Sequence, residues 1–449
     1  MKPQLSYIIE KEAELNLLDK TIIGVPFWRI VRHYVRAKQL DSIASFKNDK
    51  TPVHLILKSA FTSLPKAIKI FFSSKRYENI VFAFQRLHKI DNLYIDKISD
   101  PVVILSDIKN SCIIFQYQNK TPRINEEMVV DIEALDTIFR LFALIITPIT
   151  LLLTFLKIYP TYKRAATCFK LNKKDLFIFF YYTSIFIVRC LSFNLFLRRV
   201  KPKRVFYVGR RMFNGYIVAC KKRGITCCEL QHGITLGETV TYSGIYDSRI
   251  DPDYFLVFGE IWKGPQFGVP LDRIINIGWA HKDFLSHICI QKESYKDTVL
   301  FISDPFNGST IISIIFEFAE TYPQYCYHLR LHPMEKLTEE HFNQIALIPN
   351  ISITDNEEEV SIALLAYKKV VGVNSSVLFE ALSLGIDVAR LSYKGCKVLQ
   401  LPQKELSDFY DIIDNNSFYK FMNAKDKEKK PTNGIYSKFN PTIINNMIK

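Results

Sequence analysis

Hydroxyl, amide and imidazole side chains cluster in short polar motifs along the chain. One apolar run, Val370–Val373, predicts a buried strand, and it leads directly into Asn374, Ser375 and Ser376. An amphipathic helix predicted over Val377–Leu384 follows these three residues. Because the first turn of a helix has free backbone N–H groups at the positive end of its dipole, this turn predicts a phosphate-binding site.

A second motif, His332-Pro333, follows a predicted strand. Proline ends the strand, and Arg330 lies two residues before the histidine, on the same side of the strand. We expect Arg330 and His332 to bind the same phosphate as the serine motif. Ser303 and Asn307, in another strand-to-helix turn, and Glu380, one turn after the serines, complete the predicted phosphate side of the site.

The role of Glu380 stays open at this point. On its helix it faces the same side as Ser376. It is expected either to cap the helix or lie in solvent, or to bond a ribose as acidic residues do in other nucleotide-binding folds.

A third motif, Gln231-His232-Gly233, ends an apolar, β-like run in the first half of the chain. Glycine lets the backbone approach a ligand closely, and a histidine with a pKa near neutrality can accept a proton from a hydroxyl. His232 is therefore a candidate catalytic base, with Gln231 and Gly233 on the acceptor side. Glu238 and Asp247, in the polar loop that follows, are alternative bases.

The composition predicts a folded protein that binds anions. The chain has 449 residues, 48% of them hydrophobic, and a formal net charge of +14. This charge favours a phosphorylated substrate or an anionic membrane surface. No nucleic-acid-binding module is recognisable, so nucleic acid is not an expected partner. Nine scattered cysteines and an N-terminus without a long apolar run predict a cytoplasmic location.

Neither a metal ion nor a cofactor is expected. The cysteines and histidines lack zinc-binding spacing, and the chain contains no Walker loop and no Gly-x-Gly-x-x-Gly. Asp251-Pro252-Asp253 matches an Asp-x-Asp motif by letters only, because the proline and the following strand predict a turn.

Alternating strand and helix patterns predict an α/β protein with two Rossmann-like, doubly wound domains. The first domain is predicted over 76–285 and carries the His232 motif. The second is predicted over 297–449 and carries the phosphate-side motifs. Residues 1–75 are expected to form a mostly helical segment, and a helical insertion is expected at about 132–197. Since ligands bind outside the carboxyl ends of strands in such sheets, the motifs lie where a site is expected.

Two apolar stretches in the insertion, Leu141–Leu156 and Leu176–Val188, are short for a membrane span, which needs ~20 residues. Buried core helices, an in-plane membrane contact and a true span stay open as alternatives. Basic residues flank both stretches: Lys157, Lys163, Arg164, Lys173, Lys174, Arg198 and Arg199. This mixture favours a peripheral protein at the anionic inner face of the cell membrane.

The motifs together resemble those of GT-B glycosyltransferases of bacterial capsule and lipopolysaccharide synthesis, over residues of about 200–395. In bacterial sialyltransferases and polysialyltransferases a His-Pro and a Ser-Ser motif bind the cytidine nucleotide donor, and His332-Pro333 and Ser375-Ser376 match them. His232-Gly233 is similar to the pair in the glycerophosphate transferases of teichoic acid synthesis, where the histidine is implicated as the base. The acidic-acidic-Gly motif of sialyltransferases is not found before residue 280, which favours His232 as the base.

The resemblance implies a metal-independent glycosyltransferase that moves a sugar from a nucleotide-sugar donor, CMP-linked, to a lipid-linked surface glycan. A CDP-alditol-dependent polyol-phosphate transferase and a sugar-nucleotide epimerase are enzymatic alternatives. A basic, membrane-associated scaffold is the non-enzymatic alternative. The expected partners are the donor, the lipid-linked acceptor and the anionic membrane surface.

Overall fold

A computed structural model describes most of the chain. The described residues are 5–40, 53–84, 86–117, 120–235, 237–288, 292–304, 307–332, 335, 337–356, 358–396, 398, 409–424 and 434–447.

The chain alternates between helices and strands along most of its length. The helices are α1 (Leu5–Glu14), α2 (Phe27–Gln39), α3 (Val53–Phe72), α4 (Ser99–Ile104), α5 (Glu133–Phe169), α6 (Lys173–Val200), α7 (Arg210–Lys221), α8 (Ala280–His287), α9 (Gly308–Thr321), α10 (Glu339–Ala346), α11 (Val360–Leu364), α12 (Ser376–Ser383), α13 (Asn415–Asn423) and α14 (Pro441–Asn446).

The strands belong to two large sheets and two short hairpins. They are β1 (Thr21–Ile22), β2 (Val25–Pro26), β3 (Asn79–Phe82), β4 (His88–Ile90), β5 (Leu93–Ile95), β6 (Cys112–Gln116), β7 (Val129–Asp131), β8 (Arg204–Val208), β9 (Thr226–Leu230), β10 (Tyr254–Val257), β11 (Ile274–Asn276), β12 (Thr298–Ile302), β13 (Cys326–Arg330), β14 (Ile351–Ile353), β15 (Lys369–Gly372), β16 (Asp387–Leu391) and β17 (Tyr410–Ile412).

The first large sheet has seven strands in the order β7-β6-β3-β8-β9-β10-β11, and every neighbouring pair is parallel. Strands such as β3 and β8 are buried along their whole length, as expected for a parallel sheet with helices on both faces. The strand order reverses between β3 and β8. This is the strand order of a Rossmann domain with one strand added at the edge.

The second large sheet has six parallel strands in the order β14-β13-β12-β15-β16-β17. Its order reverses between β12 and β15, so it repeats the Rossmann topology. The prediction of two Rossmann-like α/β domains is therefore confirmed. The helical insertion is confirmed as well, because α5 and α6 lie between β7 and β8 of the first sheet.

Two local predictions need correction. The sequence from Asp408–Asn415 onward predicts a helix, but Tyr410–Ile412 forms the edge strand β17, which pairs with β16, and the helix α13 begins at Asn415. The second domain was predicted to extend to residue 449, but residues after Gly434 return to the first sheet. There Trp279 N–H donates to Ser437 O at 2.9 Å, and Phe439 packs in the core of the first domain. A short apolar pattern alone cannot specify these long-range pairings.

The two helices of the insertion differ in burial. Both are long and apolar enough to cross a membrane. Just over half of the most apolar part of α6 is buried, and the helix packs against α2, α5 and α7, whereas α5 exposes most of its apolar side chains to solvent. A capping box between Asn172 and Asp175 begins α6 directly after the end of α5, so the two helices pack as an antiparallel pair.

The N-terminal helices are joined to the first sheet by buried ion pairs. Arg210, at the start of α7, contacts Glu229 at 2.6 Å and Asp251 at 2.8 Å, and Arg29 of α2 also pairs with Asp251. Arg36 of α2 binds both carboxylate oxygens of Glu12 at 2.7 Å. Burial opposes the charge of Asp251, but the surrounding arginines hold the pKa of its carboxyl below the usual value.

The loop between β9 and β10 is fixed by this network. The Arg36 guanidinium donates to the carbonyls of Ser243 at 2.7 Å and Val240 at 3.2 Å, and Arg29 donates to the carbonyl of Ile245 at 2.8 Å. The first α-helices thus position the loop that begins at His232.

We expect Asp251→Asn to destabilise the protein by about 3–5 kcal/mol, because Arg29 and Arg210 lose a shared buried counter-charge. Asp19→Asn is the matched control, since Asp19 pairs with Arg164 at the surface at 2.6 Å. Such a pair contributes about 0–1 kcal/mol. Denaturant unfolding monitored by circular dichroism measures both. Equal effects of the two substitutions would contradict a structural role for the buried network.

Candidate functional site

A cleft of about 680 Å³ lies between the two large sheets. The first domain lines it with residues that follow β3, β5, β9, β10 and β11, and the second with residues that follow β12, β13 and β15. Apart from β5, which belongs to an antiparallel hairpin, these are strands of the two parallel sheets, and their carboxyl ends are where ligands bind in doubly wound sheets.

The second domain brings most of the predicted phosphate-side residues to this cleft. Its lining residues from that prediction are Ser303, Arg330, His332, Asn374, Ser375, Ser376 and Glu380. Ser303 follows β12 and Asn374 follows β15, the two neighbouring strands between which the strand order reverses. The two loops diverge at such a point and leave a crevice, which explains why residues distant in sequence meet there.

The serine turn is held in place by its own helix and by Arg390. Ser375 is the N-cap of α12, and its hydroxyl accepts a hydrogen bond from Val377 N–H at 3.3 Å. Arg390, buried on β16, donates to Val373 O at 3.2 Å and to Asn374 Oδ1 at 3.3 Å. The turn therefore presents Ser376 and the start of α12 to the cleft in a fixed orientation, suited to an anion.

The His332 side of the cleft is polar and partly desolvated. Burial lowers the pKa of His332, and the nearby Arg86 lowers it further. Glu335 is hydrogen-bonded to this turn: its carboxylate accepts from Ser303 Oγ at 2.6 Å and from His332 N–H at 3.4 Å. Pro333, predicted as part of this motif, lies outside the described residues.

Glu380 neither caps its helix nor lies in solvent. Its carboxylate is buried and accepts hydrogen bonds from Lys97 Nζ at 2.8 Å and Ser361 Oγ at 2.8 Å. Lys97 belongs to the first domain and also lies 3.6 Å from Glu359, a fully buried carboxylate that caps α11. Burial opposes the positive charge of Lys97, but Glu380 and Glu359 raise the pKa of its ammonium group. The wall of the cleft thus contains an ion cluster that joins the two domains.

His232 lies on the opposite, first-domain wall. Its Nδ1 contacts the hydroxyl of Tyr242, and its ring packs against Phe84 with a centroid distance of 5.2 Å. Burial lowers the pKa of His232 to about 4. The imidazole is therefore neutral at pH 7. It can accept a proton on Nε2 when Nδ1 carries the hydrogen and donates it to Tyr242.

Gln231 and Gly233 have different roles around this histidine. Gln231 is fully buried and does not line the cleft; its amide donates to Gly233 O at 3.0 Å and its carbonyl accepts from Phe258 N–H at 3.0 Å. Gly233 lines the cleft with φ +89°, a left-handed conformation that favours glycine. Gln231 therefore fixes the loop, and Gly233 keeps the wall beside His232 open.

Three further predicted residues do not line the cleft. Glu238 is exposed on the loop, and Asp247 is bound by Arg249 at 2.7 Å. Burial tends to raise the pKa of Asp247, but hydrogen bonds from Arg249 hold it below the usual value. Asn307 is buried and donates to Asp304 at 3.0 Å, which shapes the β12–α9 turn. Because a base must reach the proton that it removes, Glu238 and Asp247 are not placed to act as the base for a ligand in the cleft.

The sequence-based prediction missed several lining residues of the first domain. Arg86 and His88 follow β3, and the rule that ligands bind at carboxyl ends of strands could have identified them. Lys97 and Tyr436 gave no local signal, because the first follows a small hairpin and the second lies on the returning C-terminal segment. With Arg86 and Lys97, both walls of the cleft contain cations.

No group of three or more His, Cys, Asp or Glu suited to a metal ion occurs among the described residues.

Known structures with a similar fold are distant in sequence. A UDP-GlcNAc 2-epimerase from Methanocaldococcus jannaschii is 11% identical, with coverage of 82% of this chain and 99% of that chain and a TM-score of 0.48. The Neisseria meningitidis epimerase bound to UDP-GlcNAc is 13% identical, with coverage of 82% and 99% and a TM-score of 0.45. The wall teichoic acid polymerase TagF, soaked with CDPG, is 12% identical, with coverage of 90% and 88% and a TM-score of 0.43. No protein-family model and no curated protein matches this chain.

We expect the His232 imidazole to stay neutral down to about pH 4, because burial disfavours its cation. NMR of the labelled imidazole in the full chain measures this titration. Tyr242→Phe serves as the control, since it removes the Nδ1 contact and leaves the ring buried. If burial is the cause, the pKa stays well below its usual value in the variant as well. Titration of the native His232 near 6.5 would contradict the desolvated environment.

Proposed function

We propose that this protein is a metal-independent glycosyltransferase of GT-B type that uses a nucleotide-sugar donor, with a CMP-linked sugar as the donor class. The second domain binds the donor, and the first presents the acceptor hydroxyl to His232. The acceptor is a lipid-linked surface glycan of capsule or lipopolysaccharide synthesis. The enzyme works in the cytoplasm, at the inner face of the membrane.

The convergence of three separate motifs on one cleft carries this proposal. Ser375, Ser376 and His332 line one wall and His232 lines the other, although up to 144 positions separate them in the chain, from 232 to 376. A helix N-terminus, Arg330 and His332 suit a phosphate, and a neutral histidine across the cleft suits a hydroxyl. The resemblance to cytidine-nucleotide-dependent transferases supports the choice of donor.

In the proposed reaction the acceptor oxygen attacks the anomeric carbon as His232 Nε2 takes its proton. The bond between the anomeric carbon and the phosphate oxygen breaks, and its electron pair leaves with the nucleotide. Arg330, His332 and the start of α12 stabilise the charge that develops on this phosphate. A bound phosphate also favours the imidazolium form of His232, which makes the histidine a stronger base than in the empty cleft.

Ribose recognition by Glu380 requires a rearrangement. The carboxylate is engaged by Lys97 and Ser361 in this structure, so a ribose hydroxyl has to share it with them or replace one of them. Donor binding is thereby coupled to the contact between the two domains.

The cations on the first-domain wall favour a second candidate reaction. Arg86 lines the first-domain wall near His332, where a second phosphate of a diphosphate donor can lie, and the charge of Lys97 on the same wall is paired with Glu380 and Glu359. A CDP-alditol-dependent transferase moves a phosphate-bearing group and needs such charge on both walls. The same His232 would then deprotonate the attacking hydroxyl.

A thermal-shift panel with CMP-sugars, CDP-alditols, UDP-sugars and GDP-sugars tests the donor class. We expect CMP-linked sugars to stabilise the protein, by about 2.7 kcal/mol when the ligand concentration is 100 times its Kd. Ser376→Ala should weaken this stabilisation, whereas Ser313→Ala, an exposed serine on α9, should not. Stabilisation by CDP-alditols alone would favour the second candidate, and stabilisation by uridine nucleotides alone would contradict both.

We expect His232→Ala to lower transfer to a lipid-linked acceptor by about 10²–10⁴-fold, because general-base catalysis contributes that much. Nucleotide binding should persist, since His232 lies on the acceptor wall. Radiolabel transfer and the thermal shift, measured on the same preparation, separate the two effects.

If His232→Ala and Ser376→Ala both leave biological activity intact while charge reversals in 157–174 abolish it, the protein is a membrane scaffold.

A further inference from the structure

An apolar cavity of about 280 Å³ lies in the first domain, and none of its lining residues lines the cleft. Phe82 and Phe115 of the sheet and Tyr216 of α7 line one side of the cavity, and the other lining residues come from α3, α5 and α6. The Tyr216 hydroxyl is directed away to Asp136 at 3.2 Å, and Ser192 supplies the only hydroxyl besides it among the lining residues. Such a lining offers few polar partners for water and suits apolar ligands.

The cavity opens to the surface between α3 and α6. Ile68, Phe72 and Leu195 line it and are nevertheless 56%, 71% and 58% exposed. An engineered apolar cavity of about 150 Å³ is known to bind benzene, so this volume suits a longer hydrocarbon segment that enters from the surface.

The mouth carries positive charge. Arg199, exposed at the end of α6, donates from Nε at 3.2 Å to the backbone oxygen of Phe71, which lines the cavity. An amphiphile whose chain enters the cavity would place its head group beside this cation. An anionic phosphate therefore fits the mouth better than a neutral or cationic head group.

One wall of the cavity belongs to α5, which also exposes apolar side chains to solvent. Leu135 and Phe139 line the cavity, and the exposed apolar residues further along the helix are Leu141, Phe142, Leu144, Ile145, Ile149, Leu151, Leu152, Leu153, Phe155 and Leu156. An exposed apolar surface of this extent, with basic residues at its far end, is typical of contact with an anionic bilayer. The bilayer is therefore the source of chains nearest to the cavity.

We propose that the cavity binds one acyl chain of an anionic membrane phospholipid, with its phosphate at Arg199. The chain leaves the bilayer and is held between α3, α5 and α6, which anchors the protein beyond the surface contact of α5. This site is separate from the transfer cleft, and the proposal does not depend on the reaction assigned there.

Calorimetric titration of the full chain with decyl phosphate, below its micellar concentration, tests chain binding. We expect saturable binding of one equivalent, weakened at least tenfold by Ala67→Trp, which fills the cavity from α3. Ala60→Trp, two turns earlier on the same helix and outside the lining, is the matched control. If Ala67→Trp fails to fold, Ser192→Phe fills the cavity from α6. Equal affinity in a folded cavity-filled variant, or no saturable binding, would overturn the proposal.

Two further measurements test which head group the bound amphiphile carries and whether its chain comes from a bilayer. Arg199→Glu should weaken decyl phosphate binding several-fold and leave 1-decanol binding unchanged. Vesicles of phosphatidylglycerol and phosphatidylcholine should bind the cavity-filled variant several-fold more weakly than the Ala60→Trp control. Unchanged vesicle binding in a variant that no longer takes decyl phosphate would overturn the assignment to a bilayer phospholipid and indicate a soluble amphiphile.

Discussion

The contact of Lys97 with Glu359 and Glu380 is the interaction on which the arrangement of the two domains depends. One ammonium group from the first domain lies against two buried carboxylates of the second, and Ser361 and the start of α11 satisfy their remaining oxygens. Buried charges are costly unless they are paired and hydrogen-bonded, so few other relative positions of the domains satisfy this cluster. The cleft between the sheets owes its shape to this constraint. Because Glu380 also faces the cleft, a ligand that contacts it acts on the same cluster.

A second buried network performs a comparable task inside the first domain. Arg29, Arg36 and Arg210 join the N-terminal helices to the loop after β9 through Asp251, Glu229 and three loop carbonyls. That loop contains His232 and Tyr242. The N-terminal segment therefore does more than complete a core: it holds the loop whose Tyr242 contacts the half-buried, neutral imidazole of the candidate base. The two networks together set the two walls of the cleft.

The positive charge of the cleft and the exposed apolar surface of the insertion are compatible with a single role. The cleft uses arginine, lysine and helix N-termini, which suit phosphate groups, while the insertion combines an exposed apolar surface with basic flanks, which suit an anionic bilayer. Both features lie in the first domain or face it. A transferase acting on a lipid-linked acceptor would need this combination, because its acceptor stays at the membrane surface while its donor is soluble.

The fold class and part of the candidate cleft could be predicted from the sequence alone. Buried apolar strands alternating with helices specify parallel sheets, and polar residues at strand ends such as His232, His332 and Ser375 were identified because this signal is local. Tertiary structure alone decided what those residues meet. Lys97 lines the cleft because it follows the β4–β5 hairpin, and Tyr436 because the C-terminal segment returns to the first domain. Glu380 pairs with Lys97, 283 positions away in the chain, and Asp247 pairs with Arg249 outside the cleft. Side-chain pairing across domains depends on packing distances that no local pattern contains.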